Sequence, residues 1–265
     1  MHIDRCFDVK GKVALVTGGS SGIGAMIAEG LVRAGVRVYI LGRKEAELKS
    51  TVKRLSEYGQ IDAIQANIAT AEGVEAAKSA LEAKETELHI LINNAGIVWV
   101  APFDDFTRVG FDKVLSLNVT AIFDLTRVLR SLLSRGAKAD DPARVINITS
   151  AGGLHIGGRF YGEIDNFSYG TSKAAANMLT RKLARTLLKD NILVNAVAPG
   201  TFPTRMTTPV SENPQAYAAA LGDIPMGREG RPEEIAAPVI FLCSKAANYI
   251  TGVILPVSGG MATLD

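Results

Sequence analysis

A tyrosine and a lysine four residues apart are the strongest sign of chemistry in this sequence of 265 residues. Tyr169 and Lys173 lie in the stretch YGTSK, within a helical pattern that spans about 168–189. Residues four apart lie one turn from each other on the same face of a helix. A phenol has an ordinary pKa of about 10, and a nearby ammonium stabilises the phenolate and lowers that pKa. The pair therefore predicts a proton-transfer group, although this spacing, taken alone, is more often a surface pair.

Two further polar residues lie upstream of this pair, each next to an apolar segment. Ser150 follows the strand-like run 144–149, and Asn118 stands in the apolar helical stretch SLNVTAIF. Side chains alternate along a strand, so the neighbouring hydroxyl of Thr149 should point the other way. A buried amide needs hydrogen-bond partners, so Asn118 either completes a polar site or caps or packs a helix.

Four glycines within seven positions follow the apolar run 13–16, in the stretch TGGSSGIG. Gly18, Gly22 and Gly24 have the spacing G-x-x-x-G-x-G, and a helical pattern begins immediately after them. Glycines allow a sharp turn and let a pyrophosphate approach the backbone, and the start of a helix favours an anion. The context of strand, turn and helix predicts a dinucleotide phosphate site, with a plain tight turn as the alternative.

The elements that must position these residues alternate along the chain. Short runs rich in Val and Ile predict strands at 13–17, 36–41, 62–66, 90–93, 144–149, 193–198 and 253–257. Helical patterns occur at about 23–34, 44–57, 71–86, 106–135, 168–189 and 232–243. Apolar strands that alternate with helices predict a parallel sheet covered on both faces. No polar linker divides the chain, so we expect a single domain over residues 1–265.

Two segments interrupt this alternation after predicted strands. Residues 151–167 form a glycine-rich insertion, and residues 199–225 form an irregular stretch that begins and ends near proline. Open α/β sheets bind ligands at the carboxyl ends of their strands, so we expect a loop insertion and a substrate lid there.

Composition excludes several classes of protein. The 29 basic and 27 acidic side chains leave a net charge of +2, which argues against binding to nucleic acid or an anionic membrane. No apolar run is long enough to span a bilayer, and the N-terminus shows no signal-peptide pattern. Two cysteines and three histidines without metal-like spacing argue against disulfides and a metal site. We therefore expect a cytoplasmic protein.

Several motifs together resemble the short-chain dehydrogenase/reductase family in its single-domain form. TGGSSGIG, NNAG (93–96), LNV, ITS, YGTSK and PGTFPT follow one another in the family's order, and the resemblance covers residues 11–260. It implies an α/β, Rossmann-type, doubly wound sheet of seven mostly parallel strands in the order 3-2-1-4-5-6-7. It also implies a homotetramer, with the helices near 106–135 and 168–189 at one interface.

The same resemblance implies an oxidoreductase with four catalytic residues. Tyr169 would be the general acid and base, Ser150 would bind the substrate oxygen, and Lys173 would hold the nicotinamide ribose. Asn118 would anchor a water linked to Lys173. Ser150 and Tyr169 are nineteen residues apart, which is longer than the family spacing. Tyr161 lies inside this insertion without a lysine four residues later, so we assign it to a pocket wall.

The end of the second predicted strand bears on the choice of cofactor. NAD-binding proteins usually have Asp or Glu there, whereas this chain has Gly42 and Arg43. Arg43 can make a bidentate contact with a 2′-phosphate, as in the NADP-preferring branch that the GR pattern resembles, although a solvated arginine is the alternative. We therefore expect NADPH or NADP and less affinity for NAD. The resemblance assigns cofactor contacts to Gly18, Ser20, Ser21, Gly22, Ile23, Gly24, Arg43, Asn67, Ile68, Asn94, Ala95, Gly96, Tyr169, Lys173, Pro199, Gly200, Phe202 and Thr204.

The sequence indicates the substrate less specifically than it indicates the cofactor. DPARVINI, FPTRMT and IPMGREGRPEE resemble NADPH-dependent β-ketoacyl reductases of the rhamnolipid-pathway type, and an acyl thioester would be a substrate of that class. The expected lid carries apolar side chains that suit an apolar ketone, namely Phe202, Met206, Val210, Tyr217 and Leu221. The alternatives are a dehydrogenase of another secondary alcohol and a non-catalytic dinucleotide sensor. A basic face for an acyl-carrier protein would include Arg127, Arg130, Arg135 and Lys138, which a solvated helix also explains.

Overall fold

A parallel sheet of seven strands forms the centre of the computed structural model, which describes residues 3–156, 164–204 and 213–264. In chain order the strands are β1 (Val13–Thr17), β2 (Arg37–Gly42), β3 (Ile61–Gln65), β4 (Ile90–Asn93), β5 (Ala101–Pro102), β6 (Ala143–Ile148), β7 (Ile164–Asp165), β8 (Ile192–Pro199) and β9 (Ile254–Val257). The main sheet has the order β3-β2-β1-β4-β6-β8-β9, and all its pairs are parallel. Counted among these seven alone, this is the predicted order 3-2-1-4-5-6-7, which is confirmed.

Helices cover both faces of this sheet. They are α1 (Gly22–Arg33), α2 (Glu45–Leu55), α3 (Ala71–Glu82), α4 (Arg108–Leu115), α5 (Ala121–Val128), α6 (Arg130–Gly136), α7 (Phe167–Leu187), α8 (Pro214–Gly222) and α9 (Pro232–Cys243). In the described part of the chain, no helix is long and apolar enough to cross a membrane.

Alternation along the strands sends neighbouring side chains into two separate apolar clusters. Val13 and Leu15 of β1 belong to the cluster that contains residues of α3, α5 and α7. Ala14 and Val16 belong to the opposite cluster, together with residues of α1, α2 and α9. Both faces of β1 are therefore buried, which explains why its sequence is a continuous apolar run.

The predicted helix at 106–135 is wrong as one continuous element. The chain instead forms α4, a π turn at Ser116–Thr120, α5 and α6. The break between α5 and α6 falls at Leu129, which has φ −87° and ψ 0°. The π turn has the sequence SLNVT, which contains no glycine or proline that would mark a boundary.

Two short features lie in the segments that interrupt the alternation. β5 and β7 form a two-stranded antiparallel ladder, with Ala101 opposite Asp165. The expected lid contains the helix α8, whose sequence PQAYAAALG lacks an amphipathic pattern. Strands of two residues and a helix without a polar face give no periodic signal. Tyr161 of the insertion and Met206 and Val210 of the lid lie outside the described residues.

A buried hydrogen-bond network joins β4, β6, α5 and α7. Asn93 Nδ2 donates to Asn147 Oδ1 over 2.9 Å and to Thr126 Oγ1 over 3.2 Å. Asn147 Nδ2 donates to Thr180 Oγ1 over 2.9 Å, and the Thr180 hydroxyl donates to the Ala176 carbonyl. Asn147 is fully buried, so it holds two core elements together through polar contacts.

Replacing Asn147 by alanine should lower the free energy of unfolding by about 1–3 kcal/mol, because Asn93 and Thr180 would each lose a buried partner. Urea unfolding followed by circular dichroism measures this change. Thr186→Ala is the matched control, since the Thr186 hydroxyl is exposed and bonds only within α7, to the Lys182 carbonyl. A loss for Asn147→Ala no larger than that of the control would contradict the role of the network.

Candidate active site

The Ser150 and Tyr169 hydroxyls meet at the carboxyl end of β6. Ser150 follows this strand and caps the 3-10 turn Ala151–Gly153, where its Oγ accepts from the Gly152 N–H over 3.1 Å. Tyr169 lies in the first turn of α7, and its hydroxyl is hydrogen-bonded to that of Ser150. Two hydroxyls at one point can both donate to a single carbonyl oxygen. Thr149 points away as expected, because its buried hydroxyl donates to the Val197 carbonyl.

Lys173 is buried beneath this pair. Its side chain is inside the protein, with the residue only 4% exposed, and Nζ donates to the Ile148 carbonyl oxygen over 2.9 Å. Burial lowers the pKa of Lys173 to about 8, because the interior disfavours the ammonium. The ammonium therefore begins to lose its proton just above neutral pH.

The influence of Lys173 on the pKa of Tyr169 stays a prediction. Burial is the largest influence and raises the pKa of the Tyr169 phenol, while the hydrogen bond with Ser150 lowers it less. Lys173 Nζ lies 5.5 Å from the centre of the tyrosine ring and is held at the Ile148 carbonyl. The phenol is consequently protonated at neutral pH, which is the form that a proton donor needs.

Asn118 lies fully buried in the π turn between α4 and α5. Its Oδ1 accepts from the Ile97 N–H over 2.9 Å, and its Nδ2 donates to the Ile97 carbonyl and the Ser172 hydroxyl, each over 3.0 Å. Ser172 Oγ in turn donates to the Tyr169 carbonyl over 2.7 Å. The side chain of Asn118 therefore ties the NNAG segment to the start of α7, and the water linked to Lys173 stays a prediction.

The first turn of α1 has no capping side chain. Its N-cap Ser21 is extended and makes no side-chain hydrogen bond to the helix, and the turn contains no acidic residue. By contrast, the hydroxyls of Thr70 and Thr107 cap α3 and α4. Open N–H groups at a helix start attract an anion through the helix dipole. The turn after β1 therefore fits the pyrophosphate of a dinucleotide.

Two glycines of this turn are required by its geometry. Gly22 has a φ of +52°, in the left-handed region that favours glycine. A Cβ on Gly24 would lie 2.3 Å from the Gly18 carbonyl oxygen, so a side chain there would displace the turn. Ile23 between them packs on the apolar cluster of α1 and α9, which leaves its backbone for a phosphate contact.

Thr17 joins this turn to the NNAG segment after β4. Its Oγ1 accepts from the N–H groups of Asn94 and Ala95, each over 2.9 Å, and donates to the Ile92 carbonyl over 3.3 Å. Asn94 Nδ2 donates to the Thr17 carbonyl over 2.9 Å. Neither Thr17 nor Ser172 was predicted as a site residue. The available signal was their position in the sequence, since Thr17 directly precedes the glycine turn and Ser172 directly precedes Lys173.

Gly96 faces Asn118 and Lys173 across a short gap. A Cβ on Gly96 would lie 3.2 Å from Asn118 Oδ1 and 3.5 Å from Lys173 Nζ. The NNAG segment thus passes directly over the buried lysine.

The end of β2 offers a cationic group without a carboxylate. Arg43 is exposed, and none of the residues that the structure describes forms an ion pair with its guanidinium. A Cβ on Gly42 would lie 3.6 Å from Ser20 Oγ, so β2 ends beside the glycine turn. The Ser20 carbonyl accepts from the Thr51 hydroxyl of α2 over 3.0 Å. This arrangement fits a 2′-phosphate between Arg43 and the turn.

The segments after β3 and β8 complete this edge of the sheet. Asn67 is exposed and its Oδ1 accepts from the Ala69 N–H over 3.3 Å, whereas Ile68 is buried in the core. Gly200 follows Pro199, the last residue of β8, and its N–H donates to the Val257 carbonyl over 2.9 Å. A Cβ on Gly22 would lie 3.3 Å from Thr204 Cγ2, so the segment after β8 reaches the glycine turn.

Phe202 is not part of a lid surface, which corrects that expectation. The residue is 3% exposed and packs in the apolar cluster of α1 and α9. A Cβ on Gly230 would lie 2.3 Å from its ring. The ring therefore anchors the segment after β8, and only its backbone could contact a cofactor. The hydroxyl of Tyr217 in α8 donates to Glu229 Oε2 over 3.2 Å.

Aromatic side chains lie beside the catalytic groups. The ring of Phe167, two residues before Tyr169, packs edge-on against Phe103 and Phe106, with ring centres 5.4 Å apart in both pairs. Trp99 packs against α4, because a Cβ on Gly110 would lie 2.5 Å from its Nε1. In the described residues, no group of three or more His, Cys, Asp or Glu could hold a metal ion.

The chain is similar to known proteins over nearly its whole length. A family model described as Enoyl-(Acyl carrier protein) reductase matches residues 18–262. The chain is 45% identical over 254 residues to a Pseudomonas aeruginosa protein named Rhamnolipids biosynthesis 3-oxoacyl-(acyl-carrier-protein) reductase, covering 96% of this chain and 97% of that one. It is 37% identical over 257 residues to the 3-oxoacyl-(acyl-carrier-protein) reductase FabG of Aquifex aeolicus, covering 96% and 98%.

A solved structure is similar over the same length. The Pseudomonas aeruginosa RhlG/NADP active-site complex superposes with a TM-score of 0.94 at 45% identity, covering 99% of this chain and 100% of that chain. The family model and both relatives span nearly the whole sequence. The chain therefore belongs to the short-chain dehydrogenase/reductase family.

Proposed function

We propose that this protein reduces a ketone of the β-ketoacyl class, as an acyl thioester, with NADPH as the hydride donor. The observation that carries the proposal is the junction of Ser150, Tyr169 and the buried Lys173, directly beneath the NNAG segment. The names of the two similar reductases and the NADP complex of the similar structure support the same cofactor and substrate class.

When bound, the nicotinamide supplies the hydride for this chemistry. The uncapped start of α1 would hold the pyrophosphate, Arg43 would bind the 2′-phosphate, and Lys173 would bind the nicotinamide ribose. These groups line up along the carboxyl edge of the sheet, from the end of β2 to the end of β6. A substrate that enters beside Ser150 would thus face the nicotinamide end of the cofactor.

The protein's own contribution is the proton. The Ser150 and Tyr169 hydroxyls would both donate to the substrate carbonyl oxygen, which orients the ketone and polarises it. Because burial keeps the phenol protonated, Tyr169 can pass its proton to that oxygen as the alcohol forms. The ammonium of Lys173, with a pKa of about 8, is the nearby charge that stabilises the resulting phenolate.

The apolar surroundings favour an acyl chain over a polyol. Phe103 is 74% exposed beside Phe106 and Phe167, and Ile156 after the catalytic turn is 98% exposed. Large apolar side chains that stay exposed near a catalytic group mark a binding surface for apolar ligands. A dehydrogenase of another apolar secondary alcohol is the second candidate, and turnover against ketones of graded polarity distinguishes the two.

The basic helix face gives little support to docking of an acyl-carrier protein. Arg130 donates to both carboxylate oxygens of Asp190, over 2.8 and 3.0 Å, and Arg135 donates to the Thr86 carbonyl over 2.5 Å. Arg127 lies 3.8 Å from Asp124. Three of the four basic side chains therefore have internal partners, while Lys138 has no ion pair in the described residues, and the proposal names the acyl thioester without a carrier protein.

Assembly and location are part of the same proposal. Phe123 of α5 and Met178 of α7 are 45% and 53% exposed, which suits burial between subunits of a homotetramer. Both apolar clusters pack on one sheet, which supports a single domain. Cys6 and Cys243 form no disulfide among the described residues, as is usual in the reducing cytoplasm. A strictly monomeric mass in light scattering would contradict the tetramer.

Replacing Tyr169 by phenylalanine should slow ketone reduction by at least about a hundredfold, because a positioned acid contributes that much or more. Steady-state NADPH oxidation with a short and a longer β-ketoacyl thioester measures the effect. NADPH binding, followed by fluorescence, should persist, since the ring remains. Tyr161→Phe is the comparison variant and should change KM more than kcat. Near-normal turnover of Tyr169→Phe, or a collapse confined to Tyr161→Phe, would overturn the assignment.

Replacing Arg43 by alanine should weaken NADPH binding by roughly ten- to a hundredfold, because a charge-assisted contact contributes about 1.5–3 kcal/mol. NADH binding should change little, since NADH has no 2′-phosphate. Calorimetric titration with both dinucleotides measures the change. Lys44→Ala is the control, because Lys44 is the adjacent cation but pairs with Glu47 over 3.0 Å. Equal losses for the two dinucleotides would show that Arg43 does not read the 2′-phosphate.

A further inference from the structure

A cavity of about 410 Å³ lies at the edge of the sheet opposite to the catalytic groups. Lys12, His89 and Asp141, which line it, come just before β1, β4 and β6, whereas the catalytic edge follows the same strands. A strand of five residues is about 16 Å long, so the length of β1 separates the two edges. This cavity is therefore distinct from the dinucleotide site.

Buried positive charge exceeds buried negative charge at this edge. Lys12 is 7% exposed and Arg144 is fully buried. A single carboxylate serves both, because Asp141 Oδ1 lies 2.6 Å from Lys12 Nζ and 3.9 Å from Arg144 Nη2. Two buried cations with one carboxylate leave about one positive charge without a counter-charge, which is costly in the interior.

The remaining contacts of Arg144 are with neutral groups. Its guanidinium donates to the carbonyls of Pro142 and Ser244 and to Asn248 Oδ1, and its buried Nε has no hydrogen-bond partner. Dipoles of this kind satisfy hydrogen bonds but do not neutralise the charge. The charge of Arg144 therefore lies behind Asp141, which lines the cavity.

The rim of the cavity adds further cations. Arg5, Lys10 and Lys138 line it and are exposed, and no residue in the described ranges forms an ion pair with any of them. In all, five cationic side chains and two carboxylates line the cavity, and one of the five, Lys245, is paired with Asp140 over 3.1 Å, which leaves an excess of two positive charges. A monovalent anion would neutralise only part of this excess.

His89 contributes a neutral donor to the same wall. Its Nδ1 accepts from the Val13 N–H over 3.0 Å, so its proton lies on Nε2. Burial lowers the pKa of His89, and Lys12 and Lys138 lower it further, against the opposite influence of Glu87 and Asp141. His89 Nε2 lies 3.5 Å from Glu87 Oε1, so an anion in the cavity would compete with this carboxylate for the donor.

We propose that this cavity binds a small, multiply charged anion that carries a phosphate group. Ammonium and guanidinium groups are the usual protein partners of phosphate oxygens, and an excess of two positive charges suits a multiply charged ligand. The volume exceeds that of one phosphate, so a diphosphate or a phosphorylated metabolite would fit. Lys12 and His89 would bind the phosphate at the base, and Lys10 and Lys138 would close over it.

Calorimetric titration with pyrophosphate tests this proposal, on protein saturated with NADP so that the dinucleotide site is filled. Ionic strength is held constant with NaCl. Saturable binding is expected, and the double variant Lys10→Ala/Lys138→Ala should weaken it at least tenfold. The control Lys182→Ala/Lys189→Ala removes two exposed lysines outside the cavity and should leave the affinity unchanged. Absence of saturable binding, or equal affinity in the two double variants, would overturn the proposal.

Two further ligands identify the source of the phosphate group. Adenosine monophosphate that binds more tightly than pyrophosphate would support a nucleotide ligand, and the reverse order would support free phosphates.

Asp141→Asn supplies an independent measurement on the same charge imbalance, again on protein saturated with NADP so that the start of α1 is occupied. Removal of the shared carboxylate should lower Tm in phosphate-free buffer, and pyrophosphate should raise Tm more in this variant than in the wild type. If pyrophosphate leaves the Tm of both proteins unchanged, the cavity is not an anion site.

Discussion

The buried ammonium of Lys173 is the interaction on which the active site depends. It donates to the Ile148 carbonyl at the end of β6, and this contact fixes α7 against the sheet. Burial of a charge costs several kcal/mol, whereas one hydrogen bond to a neutral carbonyl returns about 1 kcal/mol. Burial therefore destabilises the charged form of Lys173, and its pKa falls to about 8. Tight packing maintains this arrangement, since a Cβ on Gly153 would lie 2.7 Å from the Lys173 backbone.

The parallel sheet separates two kinds of electrostatic environment. At the carboxyl ends of β1, β4 and β6, the chain presents open N–H groups, hydroxyls and one buried lysine. At the amino ends of the same strands, Lys12 and Arg144 share the carboxylate of Asp141. Parallel strands place all like ends together, so each edge collects the residues that precede or follow several strands. One sheet thereby offers two places where an anion can bind, one at the carboxyl ends of its strands and one at their amino ends.

The sheet and the catalytic neighbourhood follow from the sequence to a large extent. Runs such as VALVT are apolar on both faces because two clusters enclose β1, and this makes the strands visible. The break in the helix at 106–135 was not visible, because the π turn SLNVT contains no glycine or proline. The prediction that Phe202 belongs to the lid was wrong, because an aromatic residue in an irregular segment can point either to the substrate or into the core. Its packing against Gly230, which only the structure shows, places the ring in the core. The pKa of Tyr169 also required coordinates, since spacing places Lys173 nearby but does not show that its ammonium turns to Ile148.

The central claim is that burial of Lys173 sets the proton chemistry of the site, and a pH profile tests it most directly. The measurement is kcat/KM for NADPH between pH 7 and 10 at saturating ketone, because this ratio reports pKa values of the free enzyme. The account predicts a fall as pH rises through about 8, where the Lys173 ammonium loses its proton. In Lys173→Arg the guanidinium stays charged, so the fall should disappear. A wild-type profile that stays flat to pH 10, or the same fall in Lys173→Arg, would contradict the account.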